Sequence, residues 1–143
     1  MFTKLRIFAT SLIMLTSSVA FADLAIIGHP GSETGELDTQ SIRKLFLGER
    51  SAFPNGHHAT PINHIVGSPD RKEFFASVLS MPESSHKRHW KRKIAVGGGN
   101  SPSELASHEA VLKSIASTPG SISYIDASKV NASVKVLMTV TSF

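Results

Sequence analysis

The stretch TPINHIVGSPDRKEFF (residues 60–75) predicts a strand, a tight turn and a helix in direct succession. Residues 60–66 form a mainly apolar run of strand length. Gly67 and Ser68 supply the turn, and Ser68 can cap a helix that begins at Pro69. A strand that runs through a short turn into a helix is the building unit of α/β domains, so this stretch indicates the fold class.

The same alternation extends in both directions along the chain. Strands are predicted at 24–28, 60–66, 121–125 and 134–140, and helices from Asp38 to Gly48, at 69–79, at 82–94 and from Ser107. Ser80 and Glu83 have the spacing of a capping box at the start of helix 82–94. The order β-α-β-α-α-loop-α-β-β predicts an α/β domain with a mixed, mostly parallel sheet between two helical layers, a three-layer α/β/α arrangement.

The N-terminus has the pattern of an export signal. Lys4 and Arg6 precede an apolar run, and Ala20-Phe21-Ala22 is a small-x-small cleavage site, so residues 1–22 are predicted to be removed. The apolar run is shorter than the ~20 residues that a membrane span needs. The sequence therefore predicts one exported domain, residues 23–143, that does not span a membrane. It has no cysteine, so no disulfide contributes to its stability.

The predicted helix 82–94 concentrates the positive charge. Of the 15 lysines and arginines of the chain, 13 follow residue 22 and stand against 11 acidic residues. This balance does not require a polyanionic partner, but Lys87, Arg88, Lys91 and Arg92 lie within six residues, with Trp90 among them. The cluster is either a solvated helix face or a surface that meets acidic lipid, lipopolysaccharide or an acidic partner protein. Nucleic acid is not expected as a partner of an exported protein.

Two further patterns leave alternatives open. His57-His58 and the pair His86 and His89 are either structural or potential metal ligands, although no cysteine or fixed motif supports a metal site. The Gly-rich segment 97–100 is either a connector or a weak phosphate loop, and it lacks the Gly-Lys-Ser/Thr ending of nucleotide-binding loops. No nucleophile elbow or paired carboxylate is evident, so neither an enzyme nor a cofactor is predicted.

Four segments in order resemble one known family. They are LDTQSIRKLFLGERSAFPNG (37–56), TPIN (60–63), the Gly-Ser turn at 67–68 and STPGSISYI (117–125). Together they resemble small exported proteins related to the phosphate-binding components of ABC transporters, which have the periplasmic binding protein-like, type II fold. The resemblance implies a periplasmic, non-enzymatic solute-binding or sensing protein. The chain is long enough for about one of the two lobes of such proteins.

The resemblance also implies a ligand site at the Gly-Ser turn. In the phosphate-binding relatives an Arg precedes the turn by three residues, and the turn reads Gly-Ser-Gly-Thr. Here His64 stands at the Arg position, Gly67 and Ser68 are kept, and Pro69 and Asp70 replace the Gly and Thr. The turn is therefore either a self-capped helix start or a site for a small phosphate-like anion. A ligand would contact Gly67 and Ser68, and also His64 or Arg71. The alternative function is docking on a membrane sensor or transporter component through helix 82–94.

Overall fold

A computed structural model of the chain describes residues 23–35 and 37–141. The predicted export signal, residues 1–22, lies outside the described residues. The strands are β1 (Leu24–Gly28), β2 (Thr60–His64), β3 (Ser103–Leu105), β4 (Ser121–Asp126) and β5 (Lys135–Val140), and the helices are α1 (Thr39–Phe46), α2 (Pro69–Phe74), α3 (Glu83–Ala95) and α4 (His108–Ser117). α2 continues into the π-helical turn Phe75–Leu79, and the 3-10 turn Ala127–Lys129 follows β4.

The strands form one sheet in the order β3-β2-β4-β1-β5. β2 pairs in parallel with both β3 and β4, whereas β1 is antiparallel to its neighbours β4 and β5. β5 consequently runs in the same direction as β2, β3 and β4, and the prediction of a mixed, mostly parallel sheet is confirmed. All residues of the interior strand β1 are buried because its side chains pack into a core on each face of the sheet, as its uninterrupted apolar sequence predicts.

Helices cover both faces of the sheet and complete three layers. Ile26 and Tyr124 face the core formed with α1 and α2, which is rich in phenylalanine. Ile27 and Ile125 face the opposite core, formed with α4. This separation follows from the two-residue period of the strands, which places neighbouring side chains on opposite faces. The helix α3 packs on the side of α1 and α2, where the buried ring of Trp90 lies against Gly48.

The structure differs from the sequence predictions at three places. Strand 60–66 ends at His64, because the Ser68 N–H donates to the Ile65 carbonyl and closes a turn over the last apolar residues. The capping box at α3 does not form: Pro82 is the N-cap, and the Glu83 carboxylate pairs with Arg71 instead. A short strand, β3, lies in the region predicted to be a connector, and it places the start of α4 beside the start of α2.

Candidate functional site

An open cleft lies where β2 and β3 end and α2 and α4 begin. Its volume is about 550 Å³, and it is lined by residues 64–69 and 106–109. β2 and β3 are adjacent and parallel, so the turns that follow them meet at the same edge of the sheet. Ligands of α/β proteins commonly bind at the carboxyl ends of parallel strands. The first-turn N–H groups of a helix lack intrahelical acceptors and favour anions.

A serine caps each of the two helices at the cleft. The Ser68 Oγ accepts from the Arg71 N–H at 3.4 Å, and the Ser107 Oγ accepts from the Ala110 N–H at 3.1 Å. A hydroxyl that accepts a hydrogen bond still has its own proton to donate. The Ser68 N–H is already used, because it donates to the Ile65 carbonyl at 3.2 Å. Hydroxyl groups are therefore better placed than the Ser68 backbone to bind a ligand.

His64 lies at the inner end of the cleft as a buried, neutral ring. Only 2% of its surface is exposed, its Nε2 atom donates to the Tyr124 carbonyl at 2.5 Å, and its ring stacks on that of Tyr124 at 4.5 Å. Burial is the main reason that the pKa of His64 lies below the ordinary histidine value. The ring of His64, which the sequence resemblance places at an arginine position, therefore carries no positive charge at neutral pH.

The Asp70 carboxylate forms hydrogen bonds within the protein and does not line the cleft. This buried carboxylate accepts from the His108 Nε2 atom at 2.7 Å and from the Asp126 N–H at 3.1 Å. In the sequence, Asp70 replaces the Thr of the relatives' turn, and the structure directs its charge to these two donors. His108, which lines the cleft, was not singled out from the sequence. The sequence feature that could have identified His108 is its position directly after the N-cap Ser107.

Arg71 lies on the other side of α2, outside the cleft lining. Its guanidinium is 2% exposed and binds both oxygens of Glu83, at 2.6 and 2.8 Å, and one oxygen of Glu104, at 2.9 Å. It also donates to the His64 carbonyl at 2.8 Å and lies 4.6 Å from the centre of the Phe75 ring. The hydrogen bond from Arg71 is the main reason that the pKa of Glu83 is lowered. The structure thus brings together His64, Gly67 and Ser68, but not Arg71.

The exposed cations of α3 form the second predicted surface. Lys87, Arg88, Lys91 and Arg92 are exposed, and none of them is in an ion pair with another described residue. On the inner face of α3, His86 packs against Phe75 with ring centres 4.6 Å apart.

The remaining patterns show no ligand arrangement in the described part of the chain. His89 donates to the Leu47 carbonyl at 2.7 Å, and His57 and His58 are exposed in a turn far along the chain from α3. Within residues 23–35 and 37–141, no three potential metal ligands converge. The Gly-rich segment 97–100 is exposed and connects α3 to β3 without lining the cleft. The same ranges contain no helix whose length and apolar character would allow it to cross a membrane.

Comparison with solved structures identifies the same fold in phosphate receptors. The chain is similar to an ABC-type phosphate transport receptor from Vibrio cholerae (TM-score 0.63, 12% identity), with 81% of this chain and 46% of the receptor covered. It is similar to a protein from Clostridium perfringens assigned as a phosphate ABC transporter substrate-binding protein, with bound phosphate (TM-score 0.63, 16% identity, 81% and 45% covered). It is also similar to PstS from Borrelia burgdorferi (TM-score 0.60, 14% identity, 85% and 48% covered).

These similarities confirm, at the level of the fold, the resemblance that the sequence indicated. The chain spans less than half the length of each of these receptors. No family model matches the sequence, and a search of curated proteins found no match.

Proposed function

We propose that the protein is a non-enzymatic solute-binding or sensing accessory protein of the periplasm that holds a small phosphate-like anion in the cleft. The observation that carries this proposal is the convergence of two serine-capped helix starts, those of α2 and α4, on one cleft. The shared fold of phosphate receptors supports it.

The chemistry of the cleft suits an anion bound mainly by neutral donors. The hydroxyl protons of Ser68 and Ser107 and the first-turn N–H groups of α4 are the donors, and the helix dipole adds partial positive charge. His108 contributes a ring at the rim, and its bond to Asp70 compensates that buried carboxylate. The exposed carboxylate of Glu109 also lines the cleft and opposes an anion, so the neutral donors must outweigh it. Arg71 and His64 position the backbone beside the cleft and do not contact the anion. Arg71 donates to the His64 carbonyl, and the His64 ring donates to the Tyr124 carbonyl. Since an open cleft buries a ligand incompletely, we expect weak binding, with a Kd on the order of 1 mM, about −4 kcal/mol.

Isothermal titration with phosphate, sulfate and acetate tests this proposal. The variant with both Ser68→Ala and Ser107→Ala should weaken phosphate binding about tenfold through the loss of two donors, roughly 1.4 kcal/mol. Asp38→Ala is the matched control, because it removes the N-cap of α1 away from the cleft. The proposal fails if folded protein shows no binding at millimolar anion, or if the serine variant binds as tightly as the control.

Export is a separate part of the proposal and has its own test. We propose that residues 1–22 direct the chain to the periplasm and are cleaved there. Mass spectrometry of the protein from a periplasmic fraction should find an N-terminus at Asp23. Full-length protein confined to the cytoplasmic fraction would contradict this assignment.

Docking on an envelope sensor or transporter component through α3 is the second candidate function. It is favoured by the exposed cations of α3, which have no ion-pair partner among the described residues. Reversal of Lys87, Arg88 and Lys91 to Glu should abolish cross-linking to such a component without unfolding the protein. The matched control reverses three exposed lysines elsewhere, Lys72, Lys113 and Lys129, which gives the same change in net charge. An equal loss of cross-linking in both variants would argue against a specific docking surface on α3.

A further inference from the structure

A groove separate from the anion cleft lies between α3 and the edge of the sheet. Its volume is about 720 Å³, and it shares only Val66 with the cleft. One wall is α3, with Trp90, Ile94 and two lysines. The other wall comes from β2, β3 and the segment before β3, including Pro102 and Glu104. The groove therefore follows the outermost strand of the sheet.

The groove has an apolar part that is incompletely covered. Ile94, on the α3 wall, is 49% exposed, and Val66, in the turn after β2, is 63% exposed, although both are large aliphatic residues. On the α3 wall, the indole N–H of Trp90 and the Nε2 atom of His86 are buried without a hydrogen-bond partner among the described residues. Exposed apolar patches often mark interaction sites, and buried polar groups without partners are uncommon in folded proteins. Both features single out this wall of α3.

The charge of the groove favours an acidic occupant. Lys87 and Lys91 line it one helical turn apart and are exposed, and neither is in an ion pair with a described residue. The carboxylates of Glu83 and Glu104 also line it, but both bind the guanidinium of Arg71. The groove thus has three cations, Arg71 and the two lysines, against two carboxylates, and the two lysines are the cations without an ion-pair partner among the described residues.

We propose that this groove docks a short linear segment of a partner protein in which an aliphatic or aromatic side chain is flanked by acidic residues. The apolar side chain packs on Ile94 and Trp90, and the carboxylates pair with Lys87 and Lys91. This proposal rests on the second candidate function, the docking role of α3, and names its partner chemistry. A peptide fits better than a lipid because β3 is the edge strand among the described strands and pairs with β2 alone there, so its outer edge offers backbone groups that a peptide can bond.

Selection from a random heptapeptide display library, followed by NMR with the selected peptides, tests this inference. Trp90 is the only tryptophan, so its indole N–H gives a single resonance in an ¹⁵N-labelled sample. We expect enriched sequences that combine acidic with aromatic or aliphatic residues, and their synthetic forms should shift this resonance saturably. Enrichment of basic sequences, or no enrichment above uncoated beads, overturns the proposal. The proposal is also overturned if anionic lipid vesicles bind at the groove and peptides do not.

Matched variants separate the groove from general electrostatic attraction. Lys87→Glu with Lys91→Glu should weaken the selected peptide at least tenfold, whereas Arg88→Glu with Arg92→Glu, on the same helix outside the groove lining, should weaken it less than threefold. Ile94→Ser should also weaken it, unlike Val96→Ser, whose side chain is 83% exposed outside the groove lining. Equal effects of the two charge pairs overturn the groove while leaving α3 as a docking surface. Cross-linking that is lost on charge reversal but unaffected by Ile94→Ser likewise overturns the groove and leaves α3 as a docking surface.

Discussion

The Nε2 atom of His108 lies 2.7 Å from the Oδ2 atom of Asp70, so the first residue of α4 is tied to the first turn of α2. The same carboxylate oxygen accepts from the Asp126 N–H at the end of β4. One buried carboxylate thus connects two helix starts and a strand end immediately beside the proposed anion cleft.

Loss of this bond should loosen the junction between the two helices. His108→Ala is expected to lower the free energy of unfolding by about 1 kcal/mol, a modest value because the His108 side chain is partly exposed and water screens the pair. Urea denaturation measures the effect. A double-mutant cycle with Asp70→Asn should give a coupling energy of about 1 kcal/mol, and His58→Ala, at an exposed position, serves as the control. Additive single-variant effects would show that the bond contributes nothing.

The guanidinium of Arg71 should be important for stability rather than for ligand binding. Arg71→Met leaves Glu83 and Glu104 without their shared cation, and it removes a donor from the His64 carbonyl. We expect a loss of about 2–3 kcal/mol in denaturation experiments, below the range for fully buried pairs because both carboxylates are partly exposed. Adding Glu83→Gln and Glu104→Gln should restore part of the stability. If Arg71→Met instead abolishes anion binding at unchanged stability, the guanidinium has a direct ligand role.

Gly48 should tolerate no side chain, for two separate reasons. Its φ of +70° is unfavourable for other residues, and an added Cβ would lie 2.6 Å from Cη2 of the buried Trp90 ring. Gly56→Ala is the matched control, because Gly56 has φ +89° but nothing within 4 Å of an added Cβ. We expect Gly56→Ala to cost about 1–2 kcal/mol and Gly48→Ala about 1–3 kcal/mol more. Thermal unfolding compares the two, and equal costs would mean that the Trp90 ring moves freely.

The sequence predicted the elements that carry strong local signals. The buried strand β1 and the Asp38 cap of α1, which accepts from the Ser41 N–H at 2.7 Å, follow from short stretches of sequence. β3 escaped prediction because its three residues, Ser-Glu-Leu, contain a single apolar side chain, and only pairing with β2 makes them a strand.

Local patterns likewise indicate only part of the cleft that we propose to bind an anion. Gly67 and Ser68 are recognisable from the strand-turn-helix pattern of residues 60–75. The second half of the cleft, at Ser107 and His108, depends on the position of β3 beside β2. The binding of Arg71 to Glu104, 33 residues further along the chain, likewise depends on tertiary contacts that no local pattern encodes.

Stability should decrease as the pH falls below neutral, because two histidines are buried. Burial is the largest cause that lowers the pKa of His64 and of His86 below the ordinary value of 6.5. The unfolded chain therefore takes up protons first, so this stability is fully present above pH 6.5 and is lost as the pH falls through the lowered values. Around His86, the positive charge of Arg71 lowers the pKa, whereas the negative charges of Glu83 and Glu104 raise it.

Urea denaturation at pH 7.5 and 5.5 measures this difference in stability. His86→Leu removes one of the two titrating groups, and the Nε2 atom that it removes has no partner among the described residues. The variant should therefore lose less stability than the original protein between pH 7.5 and 5.5. An identical loss in both proteins would contradict the role of His86.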